Sequence, residues 1–157
     1  MSAISDIFDA IHTQVSAVLT THAELQNPYF LERDSQITLA QSYGIRIGPG
    51  VNLLGNEGSG AEQRQQDYTL VLTRRKFATK GNITARKSVE KLLFEDQALV
   101  LEKIVQEPKL GISVVQRVLY VDHSGVQFLP LDSDRNDIYF LETVLQVDYE
   151  QDVTLCV

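Results

Sequence analysis

The sequence predicts an α+β fold, in which two main helices pack on a mixed or antiparallel sheet of about four strands. The chain has 157 residues, of which 43 % are hydrophobic and 22 % are charged. These values are typical of one globular domain with a substantial core. Two segments have helical apolar spacing and four favour strands, in the order α-β-β-α-β-β. We therefore expect a single domain over residues 1–157, because short connections in this order suit helices packed on a sheet.

The first helix is predicted over residues 4–25. Its apolar residues recur at helical spacing and form one stripe: Ile4, Ile7, Phe8, Ile11, Val15, Val18 and Leu19. Ser2 or Ser5 can cap its start, and Asn27-Pro28 ends it.

The next segments predict a strand, a loop and a second strand. Tyr43 to Ile47 is typical of a short strand. Five glycines between Gly48 and Gly60 then indicate a flexible loop, over about residues 48–66. Residues 67–77 alternate in strand-favouring side chains and predict the second strand.

The remaining elements follow from similar signals. Asn82 or Thr84 can cap a second helix that runs to about Gln106 and is stopped by Pro108 and Gly111. Residues 113–122 predict a third strand, residues 123–125 a turn, and residues 138–149 a final strand. The final strand is apolar on both faces, so we expect it to be central and covered on both sides.

The second helix carries two apolar stripes. The first contains Ala85, Val89, Leu92, Leu93, Val100 and Ile104, and the second contains Phe94, Ala98, Leu101 and Val105. One stripe can pack on the sheet, but the second needs another cover. The first helix could supply that cover, the helix could break near Glu95-Asp96, or the stripe could form a subunit interface through Phe94 and Leu101.

A basic block spans residues 74–91. It contains seven basic residues and one acidic residue, Glu90, so its net charge is +6 in a chain of net charge −7. A basic arm on an acidic body suits head-to-tail contact between identical subunits, with Arg74, Arg75, Lys76 and Lys80 as interface candidates. We expect reversal of Arg74, Arg75 and Lys76 to weaken assembly but not folding. The alternatives are a solvated surface and a local nucleic-acid contact.

No motif in the sequence predicts catalysis, a cofactor or a metal. Asp132 to Asp137 has the spacing of a calcium loop, but Asp137 stands where Gly is needed and Thr143 where Glu is needed. The glycines at 48–60 lack a following Gly-Lys-Ser/Thr. His12 and His22 are about 15 Å apart along one helix, His123 lies in the predicted turn, and the single Cys156 cannot form an internal disulfide.

The composition also limits partners and location. Net negative charge argues against a general nucleic-acid coat, which needs an excess of Lys and Arg. The sequence has no signal-peptide pattern and no apolar run near 18 residues. We expect a protein of a reducing cytoplasm that contacts no membrane.

The order of elements resembles that of one family. An amphipathic first helix leads to Gly44-Ile45-Arg46-Ile47-Gly48, followed by a long loop, a strand and a basic-started helix. The chain closes on a strand over residues 137–149 that ends in Val147-Asp148-Tyr149. This order is similar to that of the tail-terminator, or tail-completion, proteins of long-tailed bacteriophages and of neighbouring neck proteins. The resemblance covers most of the chain and contains no diagnostic motif.

The resemblance implies a structural subunit without catalytic activity. Such subunits form a ring, expected to be a homo-hexamer, that caps the tail tube, stops its polymerisation and joins it to the head connector. The implied partners are further copies, the tail tube protein and a head-completion or connector protein, while DNA only passes through the lumen. Assembly would occur in the host cytoplasm and the mature location would be the virion. The alternative is a small nucleic-acid-binding protein or enzyme that uses residues 74–91.

Overall fold

The computed structural model describes residues 3–34, 40–52, 61–77, 83–130 and 136–152. It has two helices, α1 (Ala3–Val18) and α2 (Ile83–Gln106). The strands are β1 (Ala23–Glu24), β2 (Gln41–Asn52), β3 (Ala61–Phe77), β4 (Val115–Pro130) and β5 (Asn136–Asp152). A short 3₁₀ helix spans Leu31–Arg33. The α+β class and the main element order are confirmed, with one additional short strand.

The five strands form one mixed sheet in the order β1-β2-β3-β5-β4. Only the short β1–β2 pair is parallel, and the other three pairs are antiparallel. β3 and β5 are paired along their whole lengths, from Ala61 opposite Asp152 to Phe77 opposite Asn136. β4 therefore forms one edge of the sheet, and β2 with its short neighbour β1 forms the other.

Both helices lie on one face of the sheet and enclose the main core. Along β5 every odd-numbered residue from Tyr139 to Tyr149 is buried on this face, because side chains alternate along a strand. The largest fully buried side chains of this core are Tyr68, Tyr149, Ile7, Ile11, Leu70, Leu72, Leu93, Leu141 and Leu145. The Tyr68 hydroxyl donates a hydrogen bond to the Ile4 carbonyl, and burial raises the pKa of Tyr68. The core thus extends from the start of α1 to the centre of the sheet.

The segment that follows α1 covers part of the opposite face of the sheet. Leu25 and Leu31 pack there against Val71 of β3 and Ile138 of β5 in a second, smaller cluster. Beyond it this face is half-buried and polar, with Glu142 of β5 paired to Arg46. The final strand is therefore internal to the sheet as expected. One of its faces is wholly buried, and the other is covered mainly near Ile138.

Several boundaries differ from the prediction. α1 ends at Val18 rather than at residue 25, and the chain then forms β1 before Pro28. β2 extends to Asn52 and β3 begins at Ala61, so both ends of the predicted 48–66 loop are strand. Residues 53–60 lie outside the described part of the chain. Glycine content at 48–50 was misleading because Gly50 pairs with Gln66 in the β2–β3 ladder.

The predicted turn at residues 123–125 is wrong. β4 continues through it to Pro130, and the ladder to β5 shifts register between His123 and Val126. Gly125 has a φ of 70°, the left-handed conformation that glycine adopts most readily. A β-bulge, which needs the same residue types as a turn, therefore bends the strand without ending it.

Candidate interaction surface

The second apolar stripe of α2 faces the edge strand β4. The Phe94 ring meets the His123 ring of β4 edge-on, with centroids 5.4 Å apart. Ala98, Leu101 and Val105 follow Phe94 at intervals of four, seven and eleven residues, so they share its side of the helix. α2 is continuous, so it does not break at Glu95-Asp96. Phe94 is 38 % exposed and Val105 76 % exposed, so α1 does not cover the stripe at these two positions.

β4 supplies the other wall of this surface. Tyr120, His123 and Phe128 pair with Leu145, Thr143 and Tyr139 of β5, and all three of those β5 residues are buried on the helix face of the sheet. Directly opposed residues of an antiparallel pair point to the same face. The Tyr120 and His123 rings stack with centroids 6.4 Å apart, and the Phe128 ring lies 5.5 Å from that of Tyr139.

We call this surface the α2–β4 corner. It comprises Phe94, Ala98, Leu101 and Val105 of α2 with Tyr120, His123, Val126 and Phe128 of β4. Much of it is open: Val105 is 76 % exposed, Phe128 46 % and Tyr120 45 %. Leu101 is half-buried and packs partly against the core. Of the sequence-predicted site residues, Phe94 and Leu101 are therefore brought together here.

Arg74 lies in a different environment from the one expected. Its guanidinium binds both oxygens of Asp96 on α2, with Nε–Oδ2 and Nη2–Oδ1 distances of 2.8 Å, and donates to the Gln41 side chain. His22 Nε2 also lies 3.1 Å from Asp96 Oδ2. Asp96 of the same chain therefore supplies a counter-charge to Arg74.

Asp96 is 3 % exposed, and its carboxyl group is held ionised by its partners. Burial alone would raise the pKa of Asp96. Hydrogen bonds from His22 and Arg74, together with the Arg74 charge, outweigh burial and lower this pKa below its usual value. The group therefore ties the segment after α1 to both α2 and β3.

The other basic candidates are more dispersed. Arg75 is half-buried on the opposite face of β3, opposite Ile138. Lys76 belongs to β3, and Lys80 lies outside the described residues. Lys87 and Lys91 are exposed on the first half of α2. The described residues thus do not gather the block into one basic patch.

The residues weighed for metal or acid–base chemistry are also separated. His12 pairs with Glu24 at the sheet's β2 edge, His22 with Asp96, and His123 lies in the corner. Within the described ranges, no group of three His, Cys, Asp or Glu side chains is placed to hold a metal ion. Cys156 and most of Asp132–Asp137 lie outside those ranges.

A cavity opens at the β2 edge of the sheet, which is the edge opposite to β4. It has a volume of about 240 Å³ and is lined mainly by apolar groups, with the His12–Glu24 pair at its rim. The Ile47 amide donates to the Tyr29 hydroxyl and holds the ring beside the edge. We call this cavity the β2-edge pocket; it is lined by Phe8, His12, Glu24, Leu25, Gln26, Pro28, Tyr29, Gly44, Ile45 and Ile47.

Sequence reasoning missed the buried polar group at Asp96. A usable signal exists, since Asp96 follows Leu93 by three residues and precedes Val100 by four, which places it on the buried stripe of α2. A carboxylate on a buried stripe requires a partner. The identity of that partner, Arg74, depends on the crossing of α2 over β3, which spacing does not give.

Comparison with known proteins finds a similar fold among solved structures. No family model and no curated protein matches the sequence. Among solved structures, the chain is similar to one chain of the "Virion of native gene transfer agent (GTA) particle", with a TM-score of 0.53. The two are 11 % identical, and the match covers 96 % of this chain and 100 % of that one. At this identity the match establishes a shared fold over nearly the full length of both chains.

Neither α1 nor α2 combines the length and apolarity that a membrane crossing needs.

Proposed function

We propose that the chain is a structural subunit of a phage-type virion, and more narrowly a tail-terminator subunit. In this role several copies, expected to be six, form a ring on the end of the tail tube. The ring stops tube growth and offers a surface to the head-completion or connector protein. DNA passes through its lumen, and the protein acts in the host cytoplasm during assembly and in the virion afterwards.

The observation that carries the proposal is the full-length fold match. Both chains are covered almost completely, so the similarity is not confined to a common βα fragment. The matched chain belongs to a particle described as a virion. The order of elements independently resembles tail-terminator and neck proteins, and that resemblance supports the narrower role.

The α2–β4 corner is consistent with a subunit that works by assembly. Large exposed aromatic and aliphatic groups at a sheet edge are costly in an isolated protein, and they commonly mark protein–protein contacts. The corner contains Phe94, Tyr120 and Phe128 but has no nucleophile with a hydrogen-bonded base. Its chemistry therefore favours binding over catalysis.

The nucleic-acid alternative is weakened by Arg74. A phosphate-binding guanidinium must be available to the ligand, but both Arg74 contacts to Asp96 are inside the protein. Phosphate binding at Arg74 would need to break this partly buried ion pair, at a cost on the order of several kcal/mol.

The proposal is tested by deleting the gene for this protein from the genome that encodes the particle. We expect intact heads together with tails that do not join them and whose tubes vary in length, as seen by negative-stain electron microscopy. A plasmid copy of the parent chain should restore joined particles. Particles that assemble and join normally without the protein would contradict the proposal.

A further inference from the structure

The exposed apolar side chains form two groups at opposite edges of the sheet. Of the twelve large hydrophobic residues that remain exposed in the described part of the chain, eight lie on α2 and β4: Leu92, Phe94, Leu99, Val105, Leu119, Tyr120, Val121 and Phe128. The other four lie on β2 or beside it: Tyr29, Phe30, Ile47 and Val51. Because β4 and β2 are at opposite ends of the strand order, the two groups cannot cover each other within one molecule.

The two surfaces also differ in shape. The α2–β4 corner presents half-exposed aromatic rings, since Tyr120 is 45 % exposed and Phe128 46 % exposed. The β2-edge pocket is concave, and its volume of about 240 Å³ exceeds the space that a Phe or Tyr side chain occupies. Its floor is apolar, with Phe8 and Ile45 contributed by α1 and β2.

Charge favours contact between the same two regions. Among the described residues that line the pocket, the only charged one is Glu24, whose side chain is 59 % exposed. On α2, the exposed Lys91 and Lys87 precede Phe94 by three and seven residues and so lie on its side of the helix. The Glu24 carboxylate at the rim of the pocket would therefore meet basic side chains beside the corner.

From these observations we infer that the α2–β4 corner of one copy binds the β2-edge pocket of the next copy, head to tail. The occupant is a second copy of this chain, with Tyr120 or Phe128 entering the pocket. A contact between two different surfaces of identical subunits can close into a ring, whereas a corner-to-corner contact would stop at a dimer. The inference rests on the proposed function and specifies which surfaces build the ring.

Two variants test the contact from its two sides. The corner variant is Val105→Asp with Tyr120→Asp, and the pocket variant is Ile47→Asp; the three parent side chains are 76 %, 45 % and 40 % exposed. Leu99→Asp is the matched control, because Leu99 is 48 % exposed on α2 but lies outside both surfaces. Circular dichroism and thermal melting establish that each variant is folded.

Sedimentation over a range of protein concentrations provides the readout. We expect the parent and the control to assemble, and each variant to need at least about tenfold more protein for half-assembly, as loss of a central contact usually requires. An equal mixture of the two variants should give a dimer and nothing larger. In that mixture one intact corner meets one intact pocket, and the chain of contacts then stops.

Several results would overturn the inference. A pocket variant that assembles as well as the parent would show that the corner binds itself or something else. A control that loses assembly as strongly as the variants would show that the effect is not specific to these surfaces. A parent that stays monomeric up to about 1 mM, the weak end of specific affinity, would exclude the contact.

These failures are separable from a failure of the proposed function. If the protein caps tubes and both variants assemble normally, the proposed function stands and only this interface is excluded. If the variants behave as expected but the protein never locates to tubes, the interface is supported and the proposed function is excluded.

Discussion

Arg74 and Asp96 form a two-point ion pair that joins the end of β3 to the middle of α2. The Asp96 side chain is 5 % exposed and that of Arg74 18 % exposed, so water screens the pair only weakly. His22 and Gln41 complete its hydrogen bonds from the segment after α1 and from β2. Three parts of the chain therefore meet at the Asp96 carboxylate, and β2 joins them through the hydrogen bond from Arg74 to Gln41.

Loss of Arg74 should destabilise the folded subunit. Arg74→Met leaves the Asp96 charge buried with one partner fewer, and we expect the free energy of unfolding to fall by about 3–5 kcal/mol. Urea denaturation measures this change. Lys87→Met, at an exposed position of α2, is the control and should change it by less than about 0.5 kcal/mol. A similarly small change in the unfolding free energy of Arg74→Met would contradict a structural role for the Arg74–Asp96 pair.

The same pair changes how charge reversal of Arg74, Arg75 and Lys76 must be interpreted. Glu at position 74 would face the Asp96 carboxylate, so we now expect this reversal to destabilise the folded monomer. Loss of assembly in that triple variant would then reflect unfolding. Interface tests on the basic block should use Lys87→Glu with Lys91→Glu, at exposed positions, and sedimentation in low and high salt.

Asp96 should make stability depend on pH in the acidic range. Its folded pKa is below its unfolded value of about 3.9. Its contribution is therefore fully present above the unfolded pKa and is lost as the pH falls through the folded pKa. We expect the difference in unfolding free energy between the parent and Asp96→Asn to be constant near neutrality and to shrink below about pH 4. A difference that persists unchanged at pH 2 would contradict this assignment.

Leu145 tests the central position of β5. It is 1 % exposed and lies opposite Tyr68 in the β3–β5 ladder. We expect Leu145→Ala to lower the free energy of unfolding by about 2–5 kcal/mol, the usual cost of a cavity at a buried leucine. Val144→Ala, one residue away on the half-buried face, should cost clearly less. Equal costs would show that the two faces of β5 are equally buried.

Gly44 is required by the close approach of the segment after α1. A Cβ atom at residue 44 would lie 2.8 Å from Pro28 Cβ and 3.1 Å from Leu25 Cβ. We expect Gly44→Ala to lower the melting temperature and to cost about 1–3 kcal/mol, because these neighbours must shift. Ala17→Ser, at an exposed position of α1, is the control of similar added size. An unchanged melting temperature in Gly44→Ala would show that the segment around Pro28 moves freely.

The sequence predicted the helices and strands whose residues alternate or recur over many positions. α2 begins at Ile83 and ends at Gln106, as its flanking signals indicated, and β5 appears where both of its faces are apolar. The bulge at His123–Val126 could not be separated from a turn, because Ser124-Gly125 suits either. Pairing with β5, a long-range contact, decides between them.

The candidate surface was predicted in part. The second stripe of α2 was visible in the spacing of Phe94 and Leu101, but its other wall on β4 was not. Tyr120 and Phe128 join that stripe only because β4 lies beside β5, and strand order cannot be read from local sequence. The Arg74–Asp96 ion pair was missed for the same reason, since Asp96 is 22 residues away along the chain.

Electron microscopy of tail tubes grown with the protein would show whether it caps a tube as a ring. Purified tube subunits from the same particle would polymerise with and without the gold-labelled protein, and tube length and label position would be scored. We expect one label cluster at one end of each tube and tubes that stop growing once the protein binds. Label scattered along the tubes, or absent from them, with unchanged tube growth would contradict it.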